Sequence, residues 1–395
     1  MPDGGRRRRE GVHRVPRRSR VRVAVVANAR MPTERAHGVQ LVRMCAALAA
    51  EGAEVELVVP DRRNALGDDL FGFYGVAECF AVRRLPTWDL AGRVPAGARW
   101  QRATFIRSAV ARLAADRPGL VMTRDEWIAA LLAPRVRTIY ECHRFPGRAL
   151  VAWGHVVRRA HGVVSTNQWK AQVLVDRLGV DPERLVVLPN ATDVDAISRA
   201  APRPGLRREL GLPAPARLVV HAGHLYGWKG VDTLARSVSR LPADVHVLLV
   251  GGTDRDIARF RRRHHHPRLH VLGRVPHGEV AGILRSADVL VLANTASTRE
   301  SRQETSPLKL FEYMASGRPI VASDLPAIRE ITGDDCALLV PPGDPAALAS
   351  AITTLLDDDA RARRLAEAAR ARVRPHDWSR RARALLRFAD DLPRR

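Results

Sequence analysis

Two glutamates, Glu304 and Glu312, bracket the run Thr305-Ser306-Pro307-Leu308-Lys309-Leu310-Phe311, and the residues between them have the chemistry of a diphosphate site. Thr305 and Ser306 are helix N-cap types and Pro307 is the favoured first helical residue, so the run predicts a helix from there through Ala315 to Gly317. A helix start carries unpaired amides and roughly half a positive charge, and Lys309 in the first turn adds a full one; together they suit a pyrophosphate. Glu304 stays outside, in the preceding loop. Glu312 falls roughly 7 Å past Pro307 at about 1.5 Å per residue, a distance that suits the ribose of a nucleotide whose phosphates sit at the helix tip. The segment therefore has places for sugar, diphosphate and ribose in order.

Other residues able to do chemistry fall at the ends of predicted strands. Gly223-His224-Leu225-Tyr226-Gly227-Trp228-Lys229-Gly230 is a glycine-rich turn between strand and helix, where backbone and Lys229 can approach phosphate. His37-Gly38 closes the first loop of the chain, and Tyr140-Glu141-Cys142-His143 ends a strand, with Arg124 at the end of another. Gly251, Gly252 and the strand end at Arg274-Val275 are the candidates for a nucleotide base. His264-His265-His266 sits in an arginine-rich run whose adjacent side chains do not converge on a metal, and Asp193 and Asp195 lie beside a linker. No metal site and no cofactor are expected.

Alternation of strand and helix patterns must position these groups. Val21–Ala27, Val55–Pro60, Leu120–Thr123, Thr138–Tyr140, Gly162–Ser165 and Leu185–Leu188 read as strands of one parallel sheet, with a helix near Gly38–Ala50. The proline-bearing stretch Asn190–Ala216 reads as a connection. The pattern restarts with strands Leu218–His221, Val245–Val250, Leu269–Leu272, Val289–Leu292, Ile320–Ala322 and Ala337–Val340. The fold class is thus α/β, two Rossmann-like doubly wound domains facing a cleft, with ligands at the carboxyl ends of the strands. The expected division is a basic disordered leader at 1–20, an N-terminal acceptor domain at 21–200, a C-terminal donor domain at 201–375, and a last helix at 376–395 packing back on the first domain.

The segment from Glu304 to Glu312, followed by Gly317-Arg318-Pro319, the strand Ile320–Asp324 and Ile328-Arg329-Glu330, resembles the donor-binding segment of the retaining GT-B glycosyltransferases of family four, which carry E-x7-E in this setting. The resemblance implies a hexosyl transfer from a nucleotide-diphosphate sugar with retention and without metal. It implies catalytic roles for Glu304, His143 and Lys229. It implies donor contacts from Gly38, Gly223, His224, Lys229, Arg274, Val275, Thr305, Ser306, Pro307, Leu308, Lys309 and Glu312. His224 stands where the family often has arginine, and Asn190-Ala191 where it more often has Asn-Gly. A nucleotide-sugar epimerase and an inactive scaffold that binds a partner or nucleic acid are the alternatives.

Composition bounds the rest. The chain has 395 residues and 46% hydrophobic content, enough for two domains, and no apolar run of the roughly 18 residues a membrane span needs. Its start lacks a secretory apolar segment, so the expected location is the cytoplasm. Four dispersed cysteines, with no C-x-x-C pair, predict buried free thiols. The formal charge of +23 comes from 65 basic residues of which only Lys170, Lys229 and Lys309 are lysine. That bias argues against a specific nucleic-acid site, whereas the basic surface fits a peripheral contact with anionic membrane at its inner face. Where arginine is used nearly everywhere, a retained lysine marks a need for a compact charge, and two of the three lie in the predicted phosphate site. The resemblance implies a nucleotide-sugar donor; the acceptor is left open among sugar, lipid-linked sugar and small molecule.

Overall fold

The structure, a computed structural model, describes residues 21–92, 94–213 and 215–393; the predicted leader lies outside them. Seven strands form the first sheet: β1 (Arg22–Val26), β2 (Glu54–Pro60), β3 (Ala81–Leu85), β4 (Leu120–Thr123), β5 (Thr138–Cys142), β6 (Gly162–Ser165) and β7 (Leu185–Val187). Six form the second: β8 (Arg217–Ala222), β9 (Val245–Val250), β10 (Leu269–Gly273), β11 (Val289–Leu292), β12 (Ile320–Ser323) and β13 (Leu338–Val340). Every pairing within them is parallel, in the orders β3-β2-β1-β4-β5-β6-β7 and β10-β9-β8-β11-β12-β13.

Parallel strands are covered by helices on both faces, which is why β4, β5, β6, β11 and β12 are buried along their whole length. In the first half, helix Ala36–Ala50 packs on one face and helix Gly97–Asp116 on the other. In the second, helix Leu308–Ser316 covers one face and helix Pro345–Asp357 the other. The strand order reverses between β1 and β4 and between β8 and β11. These are the switch points at which open α/β sheets place ligands, and the segments that follow β1, β4, β8 and β11 carry Gly38 in the first helical turn, Arg124, Lys229 and the Glu304 turn.

Several elements differ from the sequence expectation. β3 is an edge strand, Ala-Val-Arg-Arg-Leu, only partly buried, so it lacks an apolar signature. Helix Gly97–Asp116 buries a narrow stripe, Gln101, Phe105, Ala109 and Leu113, within an arginine-rich sequence. The stretch expected as plain connection contains helices Val194–Arg199 and Leu206–Glu209, whose Ile197 and Leu206 join the second core. Of the four cysteines, Cys79 is exposed rather than buried, because it follows a surface turn; the other three are buried free thiols.

After helix Asp359–Val373 the chain crosses back. Thr192 N donates to His376 O at 2.9 Å, and Asp377 caps the last helix, Trp378–Asp391, through Ser379 N at 2.9 Å. Trp378, Ala382, Leu385 and Ala389 sink into the first half's core beside helix Ala36–Ala50. Leu385 is fully buried there. Leu385→Ala is expected to destabilise the first half by about 2–5 kcal/mol, seen as a lower urea midpoint at unchanged slope.

Candidate functional site

Two cations meet at the carboxyl edge of the second sheet. Gly223, just past the end of β8, has a positive φ of 131° and leaves open the space a side chain would take; an added Cβ would lie 2.9 Å from Lys309 Nζ. Lys309 Nζ is 3.1 Å from His221 Nε2, and His221 Nδ1 is 3.0 Å from Val291 O. A carbonyl can only accept, so His221 carries its proton on Nδ1 and offers the Nε2 lone pair to the ammonium. Burial, and then the Lys309 charge, hold His221 well below its ordinary value, consistent with that neutral form. Lys229 Nζ lies 3.7 Å from the centre of the Trp228 ring, a cation–π contact.

Burial lowers Lys229 to about 8. Lys309 is lowered further, by burial first and then by the charge of Lys229, so the two ammonium groups sense each other directly. Gly230 brings the following helix against β11, with a Cβ position 1.6 Å from Ala293 O. The helix that carries Lys309 begins at Leu308, with Pro307 extended at its N-cap rather than in the first turn. Glu312, one helical turn on, is partly buried and lies 4.0 Å from His277 Nε2, a partner the sequence reading missed.

Glu304 belongs to a π-helical turn, Glu300–Glu304, and not to a plain loop. It is 2% exposed and held mainly by the first half. Phe145 N donates to its Oε2 at 3.3 Å, and Arg299 Nε makes an ionic contact with Oε1 at 2.5 Å outside hydrogen-bond alignment. Lys170, fully buried, donates to Glu304 O at 2.6 Å, to His143 O at 3.1 Å and to Thr166 Oγ1. Asn167 Nδ2 donates to Gln303 O at 2.6 Å. Asn190 grips the next turn, its N donating to Ser306 Oγ at 3.0 Å and its Nδ2 to Ser306 O at 2.6 Å. Thr305 lies extended between these clamps.

His143 rests on a buried ionic network. Glu141 Oε1 accepts from Gln40 Nε2 at 3.1 Å, Arg381 Nη2 at 2.7 Å and His143 Nε2 at 3.0 Å. Burial opposes ionisation of Glu141, but Arg381, His143 and Arg124 overcome it and hold the carboxyl well below the usual carboxylate range. Burial, and then Arg124, lower His143 to about 3. The neutral ring donates from Nε2 to the carboxylate, which leaves the lone pair on Nδ1. Arg381 comes from the last helix and also donates to Pro189 O at 2.9 Å.

The remaining predicted donor contacts bridge the halves or pack. His224 Nε2 donates to Glu34 O at 3.2 Å across the two halves, with its ring stacked on Tyr226. The Arg274 guanidinium lies 5.1 Å from the Phe73 ring, and Val275 packs on the second core. A Cβ on Gly38 would lie 2.0 Å from Tyr74 Oη, so this glycine makes room for a buried tyrosine. In the histidine run, His264 pairs with Asp232 at 2.6 Å. Among the described residues no group of three or more His, Cys, Asp or Glu is placed to hold a metal. The contacts made by Lys170, Glu141, Arg381, Asn190 and His221 were not anticipated; the scarcity of lysine was the one signal that could have pointed to any of them.

Comparison with known proteins decides the family. Residues 37–196 match the description "Glycosyltransferase Family 4" and residues 216–358 match "Glycosyl transferases group 1". The chain belongs to glycosyltransferase family 4. It is 30% identical over 287 residues to a D-inositol 3-phosphate glycosyltransferase of Xylanimonas cellulosilytica, covering 66% of this chain and 67% of that one. It is 35% identical over 215 residues to a phosphatidyl-myo-inositol mannosyltransferase of Mycobacterium tuberculosis, covering 52% of this chain and 53% of that one, so it spans about half that relative's length. A sucrose-phosphate synthase from Thermosynechococcus elongatus has the same two-domain GT-B fold, with a TM-score of 0.75 at 21% identity over 94% of this chain and 99% of that one.

The histidines of this family-4 chain set a pH dependence. His37 and His143 stay neutral in the fold down to about 4 and about 3, whereas an unfolded imidazole takes its proton near about 6.5. Below that pH the unfolded chain binds more protons, so stability is lost as pH falls from about 6.5 toward the folded values. The urea midpoint should drop between pH 7 and pH 5, and His143→Gln should flatten the drop; an unchanged slope in the variant would count against a neutral His143.

Proposed function

We propose that the protein transfers a hexosyl group from a nucleotide-diphosphate sugar to an acceptor hydroxyl with retention and without a metal ion. The observation that carries this reading is the pair Lys229 and Lys309, two mutually destabilised ammonium groups beside the start of helix Leu308–Ser316, with Glu304 at the adjoining end. A diphosphate seated there meets both cations and the amides at the helix start. As the bond from the anomeric carbon to the phosphate oxygen breaks, its electron pair moves onto the diphosphate, where the cations stabilise the growing charge. The acceptor oxygen bonds to the same face, and its proton passes to the departing phosphate. Glu304 and His143 orient the sugar, Glu312 receives the ribose, and Gly251, Gly252, Arg274 and Val275 border the base. Positive charge that other enzymes draw from a metal is supplied by side chains already in place.

The acceptor we propose is an inositol-type polyol phosphate, free or lipid-linked. The names of the two relatives support this class, since one acts on D-inositol 3-phosphate and the other on phosphatidyl-myo-inositol. No helix among the described residues is long and apolar enough to cross a membrane. Exposed Trp88 and Trp100, with Arg99 and Arg107 exposed on the same helix as Trp100, fit a peripheral contact with anionic lipid if the acceptor is lipid-linked.

A thermal-shift panel of nucleotide diphosphates identifies the donor, since a ligand bound only by the native state raises the melting point. With that donor, Lys229→Ala and Lys309→Ala should each lower kcat by about 10²–10³ while the ligand-free melting point holds, with the wild type unaffected by a chelator. Full turnover in both variants, or no nucleotide binding at all, would end the proposal.

Lys170→Met tests the clamp on Glu304 from the other half. A misplacement of about 1 Å in a positioned group costs about a hundredfold in rate, so kcat should fall by about that factor while the donor KM changes little. A fall in donor affinity with kcat preserved would instead assign Lys170 to the phosphate site.

A further inference from the structure

The second half holds another concentration of cations, at the opposite edge of its sheet. Asp288 immediately precedes β11 and Arg318 lies two residues before β12, so both sit at the amino edge of the sheet, opposite the carboxyl edge that carries Lys229 and Lys309. A cavity of about 530 Å³ opens there, lined by Arg203, Arg207, Arg208, Arg285, Arg318 and the single carboxylate of Asp288. The proposed donor site does not extend to this edge.

The arginines are unevenly satisfied. Arg207 Nη2 pairs with Asp288 Oδ2 at 2.9 Å, but that oxygen also accepts from Leu218 N at 2.6 Å. Glu209 and Glu279 hold Arg203 at 3.0 Å and 3.5 Å. Arg285 spends its donors on backbone, Nε on Ala200 O at 3.2 Å and Nη1 on Ser316 O at 2.7 Å. Arg318 donates from Nη2 to Arg285 O at 2.5 Å, while its Nε is buried with no acceptor. Elsewhere on the surface arginines meet carboxylates directly, as Arg329 does with Asp324 and Asp334.

An orphaned buried N–H is costly, and guanidinium groups that face one another without enough carboxylate repel. Burial, followed by the charges of Arg285 and Arg207, holds Arg318 below its ordinary value even though Asp288 opposes them. A tetrahedral dianion answers both defects, because its oxygens accept from forked guanidinium donors in pairs. We propose that this cavity binds a phosphomonoester dianion, from a soluble sugar phosphate or from a lipid head, at a site separate from the cleft between the sheets.

Calorimetric titration of the full chain tests this with inorganic phosphate, glucose 6-phosphate and water-soluble dihexanoyl phosphatidic acid. Arg208 is exposed, so Arg208→Glu can be made without disturbing packing, and Arg318→Gln removes the orphaned donor. Saturable binding weakened about tenfold or more by either variant, and retained in Lys309→Ala, is expected. Tighter binding of the sugar phosphate or of the lipid identifies the source. No saturable binding of any of the three, equal affinity in Arg208→Glu and Arg318→Gln, or loss with Lys309→Ala would overturn the proposal.

Discussion

Two ammonium groups held together in a largely desolvated place are the constraint around which the second half is arranged. Among the described residues neither Lys229 nor Lys309 makes an ion pair; Glu300 and Glu312 favour their charges only from a distance. Such an arrangement costs free energy, since burial and a like charge both disfavour the protonated forms. It persists because its surroundings leave the side chains little alternative. Gly223 gives Lys309 a slot, His221 presents a lone pair to its ammonium, and the Trp228 ring lies against that of Lys229. On the proposed function, a diphosphate would relieve the repulsion on arrival and relieve more as charge accumulates on it, which is the differential stabilisation a transferase needs.

The second half does not complete the site by itself. Glu304 is fixed by Phe145, by Lys170 and, through its neighbours, by Asn167 and Asn190, all from the first half or its boundary. Lys170 also holds the carbonyl of His143, so one ammonium group ties together the two residues proposed to orient the sugar. His143 in turn depends on Glu141, and Glu141 on Arg381 from the last helix. The return of the chain to the first half after the second is finished therefore helps fix His143, while Lys170 joins His143 to Glu304.

Much of this was legible before the structure. Parallel sheets buried on both faces leave continuous apolar runs, and the switch-point loops carry the glycines and lysines on which the reading began. What could not be read were elements whose burial is partial. β3 is half exposed, and helix Gly97–Asp116 buries a stripe one residue wide per turn. The helix start at Leu308 rather than Pro307, and the π-turn at Glu304, are outcomes of tertiary clamps: Asn190 on Ser306 and Lys170 on Glu304 hold the backbone away from the local preference. In the same way the need for glycine at Gly38 also comes from the hydroxyl of Tyr74, 36 residues further along the chain.

Lysine is retained at all three positions, but for different physical reasons, and the sequence reading used only two of them. At 229 and 309 a small charge sits in a desolvated place and, on the proposed function, would approach a phosphate end-on. At 170 the ammonium has three N–H donors and three acceptors around it: Glu304 O, His143 O and Thr166 Oγ1. A planar guanidinium is larger and directs its donors outward in one plane, so it cannot fill the same fully buried point without spreading those three groups apart. A chain that otherwise uses arginine for its positive charge thus departs from that habit where charge must be compact, and each departure lies at the cleft or at the joint that shapes it.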